Sequence, residues 1–195
     1  VRVLGKEISG DSTTNVINAG VALVPEDRKL HGLVIDMTVK ENMSLAGLRQ
    51  NQVGGGFINF DVEDNVTVEM IDRLKVKTPN EHQIARYLSG GNQQKVVLGK
   101  WLSLKPSILL LDEPTRGIDV GAKQEIYQLM EELADDGMAI LFVSSELEEI
   151  IGMSDRVVVM HEGRLAGELD RNELSEQSIM NLATGGVSER ITTSA

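Results

Sequence analysis

The chain has 195 residues with 19 basic and 30 acidic side chains, a formal net charge of −11, and no cysteine. The absence of cysteine excludes disulfides and thiolate metal sites. The acidic balance opposes nucleic acid as a partner, because nucleic-acid binding relies on clustered Lys and Arg. No apolar run approaches the roughly 20 residues that a membrane-spanning helix needs. The length predicts one globular domain, and because aromatic residues make up only 3%, its core must be aliphatic.

The first half of the chain predicts two strands followed by a helical segment. Apolar residues alternate loosely over residues 1–8 and predict a strand, and Val21–Val24 predicts a second one. Helical spacing of apolar residues at 42–48 and at 68–74 predicts helices on either side of a loop at Gly54–Gly56. We therefore expect a small helical lobe inserted into an α/β domain.

The second half predicts strands and helices in alternation. Continuous apolar runs at 108–111 and 138–143 are typical of strands that are buried on both faces of a parallel sheet. Between them, residues 124–133 have the apolar spacing of an amphipathic helix, which Gly137 can end. The other predicted elements are a helix after Gly91 with Val97, Leu98, Trp101 and Leu102 on one face, a hairpin of 156–161 and 164–169 turned at Glu162-Gly163, and a helix at 172–182.

This alternation predicts the α/β class, with a mostly parallel sheet covered on both sides. We expect the α/β core to comprise residues 1–38 and 105–183, and the helical subdomain to comprise residues 39–104. Residues 184–195 form a polar tail.

The stretch YLSGGNQQK places a serine and two glycines before a predicted helix. Ser89 is a favourable N-cap residue, and Gly90 and Gly91 leave the backbone unobstructed. Their N–H groups at a helix start can converge on an anion such as a phosphate. Taken alone, the same letters also fit a simple capped turn.

Two adjacent carboxylates follow the buried strand at 108–111. Ligands of open α/β sheets gather at the carboxyl ends of the strands, where Asp112 and Glu113 lie. There Asp112 can hold Mg²⁺ through water, and Glu113 can polarise an attacking water. The alternative for any isolated Asp-Glu pair is a solvated turn before Pro114.

The combination of these motifs resembles the nucleotide-binding domain of ATP-binding cassette (ABC) proteins, which has a P-loop NTPase fold. In that family LSGG is the signature motif, ILLLDE is Walker B and GID belongs to the D-loop. Variants within the motifs are similar to the C-terminal half of a tandem ATPase of monosaccharide importers, ribose importers in particular. The segments that carry this narrower resemblance are PEDRK (25–29), HGL (31–33), VKEN (39–42), LSGGNQQK (88–95), DEPTRGIDVGAK (112–123), VSSEL (143–147) and MSDRVVVMHEG (153–163).

The resemblance implies that two such domains pack head to tail, with each ATP between the Walker A motif of one and the LSGG motif of the other. It assigns Ser89, Gly90 and Gly91 to the γ-phosphate of an ATP held mainly by a partner domain. Asp119 then matches the D-loop aspartate, and an N-cap role for it can coexist. Gln93 can line the nucleotide, although glutamines in a first helical turn are equally often solvated.

The sequence has no P-loop of the form G-x-x-x-x-G-K-[ST], which cradles phosphates in this class. We expect the chain to begin after its own P-loop strand and helix, and to be inactive as an ATPase by itself. The loss of that strand and helix would expose apolar edges of the sheet. We therefore expect association or reduced stability of the isolated chain.

Two positions depart from the family's catalytic pattern. Ser145 stands where the switch histidine is expected, and Glu26 stands at the Q-loop glutamine position. A serine cannot carry positive charge, and a carboxylate repels phosphate unless Mg²⁺ intervenes. Both changes weaken the site that Glu113 would serve and leave the Ser89 half-site intact, which predicts an asymmetric pair of ATP sites.

The resemblance implies a peripheral ATPase at the cytoplasmic face of the plasma membrane, which uses ATP and Mg²⁺ to energise import of a monosaccharide such as ribose. Its partners would be the N-terminal cassette of the same polypeptide or a second copy, the membrane permease, and indirectly a periplasmic sugar-binding protein. We expect the permease to dock near residues 26–42, although Asp27, Arg28 and Lys29 also fit a plain charged loop. Two alternatives are a non-catalytic adaptor and a soluble ABC protein that acts on nucleic acid or ribosomes.

Overall fold

The computed structural model describes residues 2–9, 12–48, 52–53 and 57–186. Contacts within the chain define two compact units, residues 1–143 and residues 144–195. The predicted division into an α/β core (1–38 and 105–183) and a helical subdomain (39–104) differs from these two units, and it stays a prediction. The glycines 54–56 and most of the predicted tail lie outside the described residues.

A three-stranded parallel sheet organises the first unit, and its strands are β3 (Val21–Val24), β6 (Ile108–Asp112) and β7 (Ala139–Val143), in the order β3-β6-β7. The registers Val24↔Leu111 and Asp112↔Val143 place the carboxyl ends of all three strands at one edge. The predicted strands at 21–24, 108–111 and 138–143 are therefore confirmed, together with their parallel arrangement.

The sequence predicted a sheet covered on both sides, but the described residues cover only one side of it. One face, formed by Ala22, Val24, Leu109 and Leu111, is buried. On the other face Leu23 is 50% exposed and Leu141 is 61% exposed, and both pair with Leu110. The prediction of a buried strand at 138–143 was wrong for this reason, since an apolar run does not indicate which of its faces other elements cover.

Helices α2 (Val39–Ser44), α3 (Phe60–Arg73) and α4 (Gly90–Leu102) pack together beside this sheet. The capping box of Thr38 and Glu41 starts α2, and the Asn59 side chain caps α3. Both predicted helices of this region are thus present, and the second is longer than its apolar pattern indicated. Helix α5 (Val120–Asp135) lies between β6 and β7 in sequence and buries the predicted stripe of Ile126, Leu129, Met130 and Leu133.

The start of the chain differs from the single predicted strand. Residues Arg2–Val3 (β1) and Lys6–Glu7 (β2) form a short antiparallel pair, because Leu4 and Gly5 adopt left-handed φ values of 48° and 78° and reverse the chain. A helix α1 (Thr13–Asn18) then leads to β3, and a second short pair consists of β4 (Gln52–Val53) and β5 (Phe57–Ile58).

The second unit contains α6 (Leu147–Met153), the hairpin of β8 (Arg156–His161) and β9 (Arg164–Asp170), and α7 (Glu176–Ala183). The predicted hairpin is confirmed with its turn at Glu162-Gly163. Helix α7 begins later than predicted because the Ser175 hydroxyl accepts the Ser178 N–H at 3.1 Å and caps it there. The core of this unit consists of Val157, Val159, Ile179 and Leu182.

In the part of the chain that the structure describes, none of the helices combines the length and apolar character that crossing a bilayer requires.

Candidate functional site

The predicted Walker B carboxylates lie at the edge where the parallel strands end. Asp112 is the last residue of β6 and is half-buried. Glu113 follows with a left-handed φ of 46°, and its N–H donates to the Val143 carbonyl at 2.9 Å. A non-glycine residue in this conformation is strained, and such strain clusters at functional sites. The sheet thus holds Glu113 in a defined position at the strand end.

Glu26 leaves the neighbouring strand β3 at the same edge of the sheet. Its carboxylate forms an ion pair with the guanidinium of Arg116, in the loop that follows Glu113. The two side chains are 42% and 65% exposed, so the pair contributes little stability. It does compensate the negative charge of Glu26, so Mg²⁺ is not the only cation that can reduce the repulsion between this carboxylate and a phosphate. The role of Glu26 at the Q-loop position stays a prediction.

Ser89 is the N-cap of α4, as the sequence predicted. Its hydroxyl accepts the Asn92 N–H at 3.5 Å and the Asn92 side-chain amide at 2.9 Å. The side chain is exposed, so it can also face a ligand. The first N–H groups of any α-helix have no acceptor within the helix, and those of Gly90 and Gly91 belong to this set.

The two glycines are also required by packing. A methyl group at Gly91 would lie 2.4 Å from the Ala122 Cβ, in the first turn of α5. A methyl group at Gly90 would lie 3.1 Å from the Gly117 carbonyl oxygen. The start of α4 therefore lies directly against the D-loop segment and the start of α5, which only glycine permits.

Asp119 caps α5, because its Oδ1 accepts the Ala122 N–H at 3.0 Å. Through the contact of Gly91 with Ala122, the N-terminus of α5 lies next to that of α4. Both ends carry the positive partial charge of a helix dipole. The structure thus brings Ser89, Gly90, Gly91 and Asp119 together into one region. The N-terminus of α4, with its backbone donors, suits a negatively charged group, whereas the Asp119 carboxylate already occupies the N-terminus of α5.

Gln93 points into the protein. It is buried, and its Nε2 donates to the Ala85 carbonyl at 3.1 Å. Other polar residues of α4 are also buried: the Lys95 ammonium pairs with Glu125 at 2.7 Å, and the Lys100 ammonium donates to the Gly32 carbonyl. Burial lowers the pKa of Lys100. A nucleotide-binding role for Gln93 stays a prediction.

Ser145 belongs to the second unit, between β7 and α6, and is exposed. Its neighbour Ser144 donates to Glu149 at 2.7 Å and accepts the Glu146 N–H at 3.0 Å, which shapes this turn. Only the order of residues in the sequence supports the assignment of Ser145 to the switch position, which stays a prediction.

No group of three or more His, Cys, Asp or Glu side chains within the described ranges could hold a metal ion by itself. A site with Asp112 as its single protein carboxylate fits Mg²⁺, which usually keeps several waters and binds substrate phosphates. The position of Asp112 at the strand ends is consistent with that arrangement.

Arg28 is the residue whose importance the sequence did not indicate. The two alternatives for it, a charged loop and a permease contact, stay predictions. Its guanidinium donates to the carbonyls of Arg116 and Gly117, at 2.8 Å and 3.1 Å. Its place within PEDRK was the only available signal, since no periodicity marks a long-range contact of this kind.

Comparison with known proteins gives consistent matches. Residues 1–116 match the family model described as ABC transporter. The chain is 55% identical over 172 residues to the ribose import ATP-binding protein RbsA of Shouchella clausii (strain KSM-K16), covering 88% of this chain and 34% of that protein. It is 53% identical over 186 residues to a putative ribose/galactose/methyl galactoside import ATP-binding protein of Rhizobium etli, covering 95% of this chain and 35% of that protein. The chain thus spans about a third of the length of these curated relatives.

Solved structures show the same fold. A nucleotide-free ATP-binding cassette from an ABC transporter superposes with a TM-score of 0.73 at 19% identity, covering 97% of this chain and 73% of the other. The structure of cbiO1 from Clostridium perfringens, part of the transporter complex cbiONQ, gives a TM-score of 0.71 at 21% identity, with 96% and 72% covered. At these identities the likeness concerns the fold alone.

Proposed function

The chain belongs to the ABC transporter family of ATP-binding proteins, and from this premise we propose that it is the second cassette of an importer for a monosaccharide such as ribose. The predicted family and the ABC-type α/β fold are confirmed. The sugar class rests on relatives named as ribose importers at 46–55% identity. The activity of the longer protein is part of the proposal, because the chain spans about a third of those relatives.

The cassette donates a half-site to ATP whose phosphates are held mainly by another domain. The observation that carries this proposal is the Ser89-capped start of α4, which lies against the start of α5. Ser89 supplies a hydroxyl, and the first turn of α4 supplies backbone donors and a positive dipole end. These groups stabilise the charge on a γ-phosphate without a basic patch, which agrees with a net charge of −11.

The site that contains Glu113 is weak or silent in this proposal. Mg²⁺ would neutralise phosphate charge there, and Asp112 would hold it through water. Glu113 would orient and polarise the attacking water. Ser145 in place of histidine removes a cationic partner, and Arg116 already engages the carboxylate of Glu26. The competent site is therefore the one that this cassette completes with Ser89, Gly90 and Gly91.

The proposed assembly is peripheral at the cytoplasmic face of the plasma membrane. Its partners are an N-terminal cassette or second copy, the permease, and indirectly a periplasmic sugar-binding protein. Residues 26–42 are the proposed permease dock, and exposed apolar side chains support it: Leu30 is 76% exposed and Val34 is 40% exposed. Apolar side chains exposed on a folded surface are typical of protein contacts.

Substitution of Ser89 by Arg and of Glu113 by Gln in the complete protein, assembled with its permease, tests the asymmetry. We expect Ser89→Arg to lower ATP turnover by about a hundredfold, because it blocks the donors that face the γ-phosphate. Glu113→Gln should change turnover by less than about twofold, since a general base matters only where hydrolysis occurs. Equal losses from both changes would refute the asymmetric pair.

Two control variants match these substitutions. Ser175→Arg places an arginine at the exposed N-cap of α7, and Glu131→Gln neutralises an exposed glutamate on α5. Both should retain full turnover. A loss from Ser175→Arg as large as that from Ser89→Arg would mean that arginine at an N-cap, rather than the half-site, causes the defect.

A further inference from the structure

Arg28 joins two elements that are distant in the chain. It begins the π-helical turn Arg28–Gly32, and its side chain reaches the loop between β6 and α5. There Nη1 donates to the Arg116 carbonyl at 2.8 Å and Nη2 to the Gly117 carbonyl at 3.1 Å. The planar guanidinium spans consecutive carbonyls in a way that a lysine ammonium cannot.

The same guanidinium lies against the first residue of the signature helix. A methyl group at Gly90 would lie 2.9 Å from the Arg28 Nη2. The Arg28 Nε is buried and has no hydrogen-bond partner in the described structure, so this part of the half-buried side chain is packed against protein atoms. One side chain therefore contacts both the start of α4 and the segment that leads to Asp119.

The turn that carries Arg28 is itself anchored. The Asp27 carboxylate accepts the N–H groups of Lys29 and Leu30 at 2.9 Å and 3.0 Å and caps the turn. At its other end, the Gly32 carbonyl accepts from the Lys100 ammonium of α4. The turn that carries Arg28 is thus bonded to α4, the helix that the signature motif begins.

A second contact between the same two segments is weaker. The ion pair of Glu26 with Arg116 also links the exit of β3 to the loop after Glu113, but both side chains are substantially exposed. Exposed pairs contribute about 0–1 kcal/mol and are screened by salt. The Arg28 contact differs in that its planar guanidinium engages two consecutive carbonyls of the loop, which defines the loop geometry better than a single ion pair does.

We propose that Arg28 is a positioning residue for the phosphate-facing half-site, which it sets by holding the carbonyls of Arg116 and Gly117 against Gly90. This inference rests on the proposed function of Ser89 and the two glycines. Arg28 touches none of the reacting atoms; it fixes the distance between the first turn of α4 and Asp119. A displacement of about 1 Å at such a site costs up to a hundredfold in rate.

Arg28→Lys in the complete protein, assembled with its permease, tests this role, because lysine keeps the charge and loses the planar fork. We expect kcat for ATP to fall roughly ten- to a hundredfold. KM for ATP should change by less than about twofold, since another domain anchors the nucleotide. Arg28→Ala should likewise lower kcat and leave KM for ATP nearly unchanged. Arg73→Lys is the matched control, because Arg73 is an exposed arginine of α3 with one long contact to Asp136, and its kcat should not change.

The outcomes separate this inference from the proposed function. If Ser89→Arg abolishes turnover while Arg28→Lys retains it, the positioning role is wrong and the half-site stands. If both variants retain turnover, the half-site fails and the inference fails with it. A loss from Arg28→Lys that comes with a parallel rise in KM and a lowered melting temperature would also overturn the inference, because it would indicate a general role in folding.

Discussion

Gly91 lies where the first turns of α4 and α5 meet, and no side chain has room there. The sequence predicted a glycine that leaves its backbone open to an anion. The structure adds a packing reason, the 2.4 Å approach of a methyl group to Ala122. Local sequence could not indicate this contact, because Ala122 belongs to another helix. The packing reason is shown by the fold, and the binding role of the same glycine stays a prediction.

Substitution of Gly91 by Ala should therefore destabilise the protein. The added methyl group would force α4 and α5 apart, and overpacking of this kind typically lowers the free energy of unfolding by about 1–3 kcal/mol. Urea denaturation measures the change. Gly152→Ala in α6 is the control, since a methyl group there meets nothing within 4 Å and alanine favours a helix. If the Gly91 variant were as stable as the Gly152 variant, the close approach of the two helices would be wrong.

Glu113 shows a second limit of local reasoning. The sequence predicted that Glu113 and its neighbour Asp112 lie at the carboxyl end of a strand. It did not predict the left-handed φ of 46°, which costs a non-glycine residue about 1–2 kcal/mol. The bond from its N–H to the Val143 carbonyl comes from the adjacent strand, so the conformation depends on the assembled sheet.

Helix α4 was predicted to present one apolar face, and in the structure nearly its whole surface is buried. Gln93, Lys95 and Lys100 find partners on Ala85, Glu125 and Gly32 respectively. Periodicity indicated the apolar side correctly, with Val97, Leu98 and Leu102 in the core. It could not indicate that other elements would surround the polar side, because that depends on tertiary packing.

The pair of Lys95 and Glu125 between α4 and α5 predicts a pH-dependent contribution to stability. The hydrogen bond from the Lys95 ammonium lowers the pKa of Glu125 below its ordinary value of 4.5. The unfolded chain therefore binds this proton more tightly than the folded protein does. The stabilisation is complete above the unfolded value and is lost as the pH falls through the lower, folded pKa.

Glu125→Gln should lower the free energy of unfolding by about 0.5–1 kcal/mol at pH 7, because solvent screens the partly exposed carboxylate and keeps the contribution small. The difference from the unmodified protein should shrink as the pH falls below 4.5, the ordinary pKa of the group. Urea denaturation across pH 3–7 checks this, with exposed Glu131→Gln as control. A gap between the two proteins that persisted at pH 3 would rule out the titration as its source.

For the molecule as a whole, the sequence predicted the order of strands and helices correctly, but it did not predict which faces of those elements are exposed. Strand and helix order predicted the parallel sheet, and the order of the motifs predicted the family. The open sheet face was missed: Leu23 and Leu141 are at least half exposed, although the apolar runs that contain them had indicated burial. An apolar run identifies a strand, whereas coverage of its faces depends on everything packed around it.

The proposed half-site was also only partly predictable from the sequence. Its members can be identified in one chain, and the structure places Ser89, Gly90, Gly91 and Asp119 together. Their proposed ligand is bound mainly by another domain, and the matched part is about a third of the length of the curated relatives. The motif sequence therefore indicated the groups that we propose face the phosphate, and the contacts of Arg28 with the neighbouring loop became visible only in the fold.

The most direct measurement is a structure of the complete protein with a non-hydrolysable ATP analogue and Mg²⁺. We expect the Ser89 hydroxyl and the backbone amides of the first turn of α4 to lie within hydrogen-bond distance of the γ-phosphate, on a nucleotide whose other phosphates contact a different domain. A nucleotide-bound, closed assembly in which these groups face solvent would contradict it.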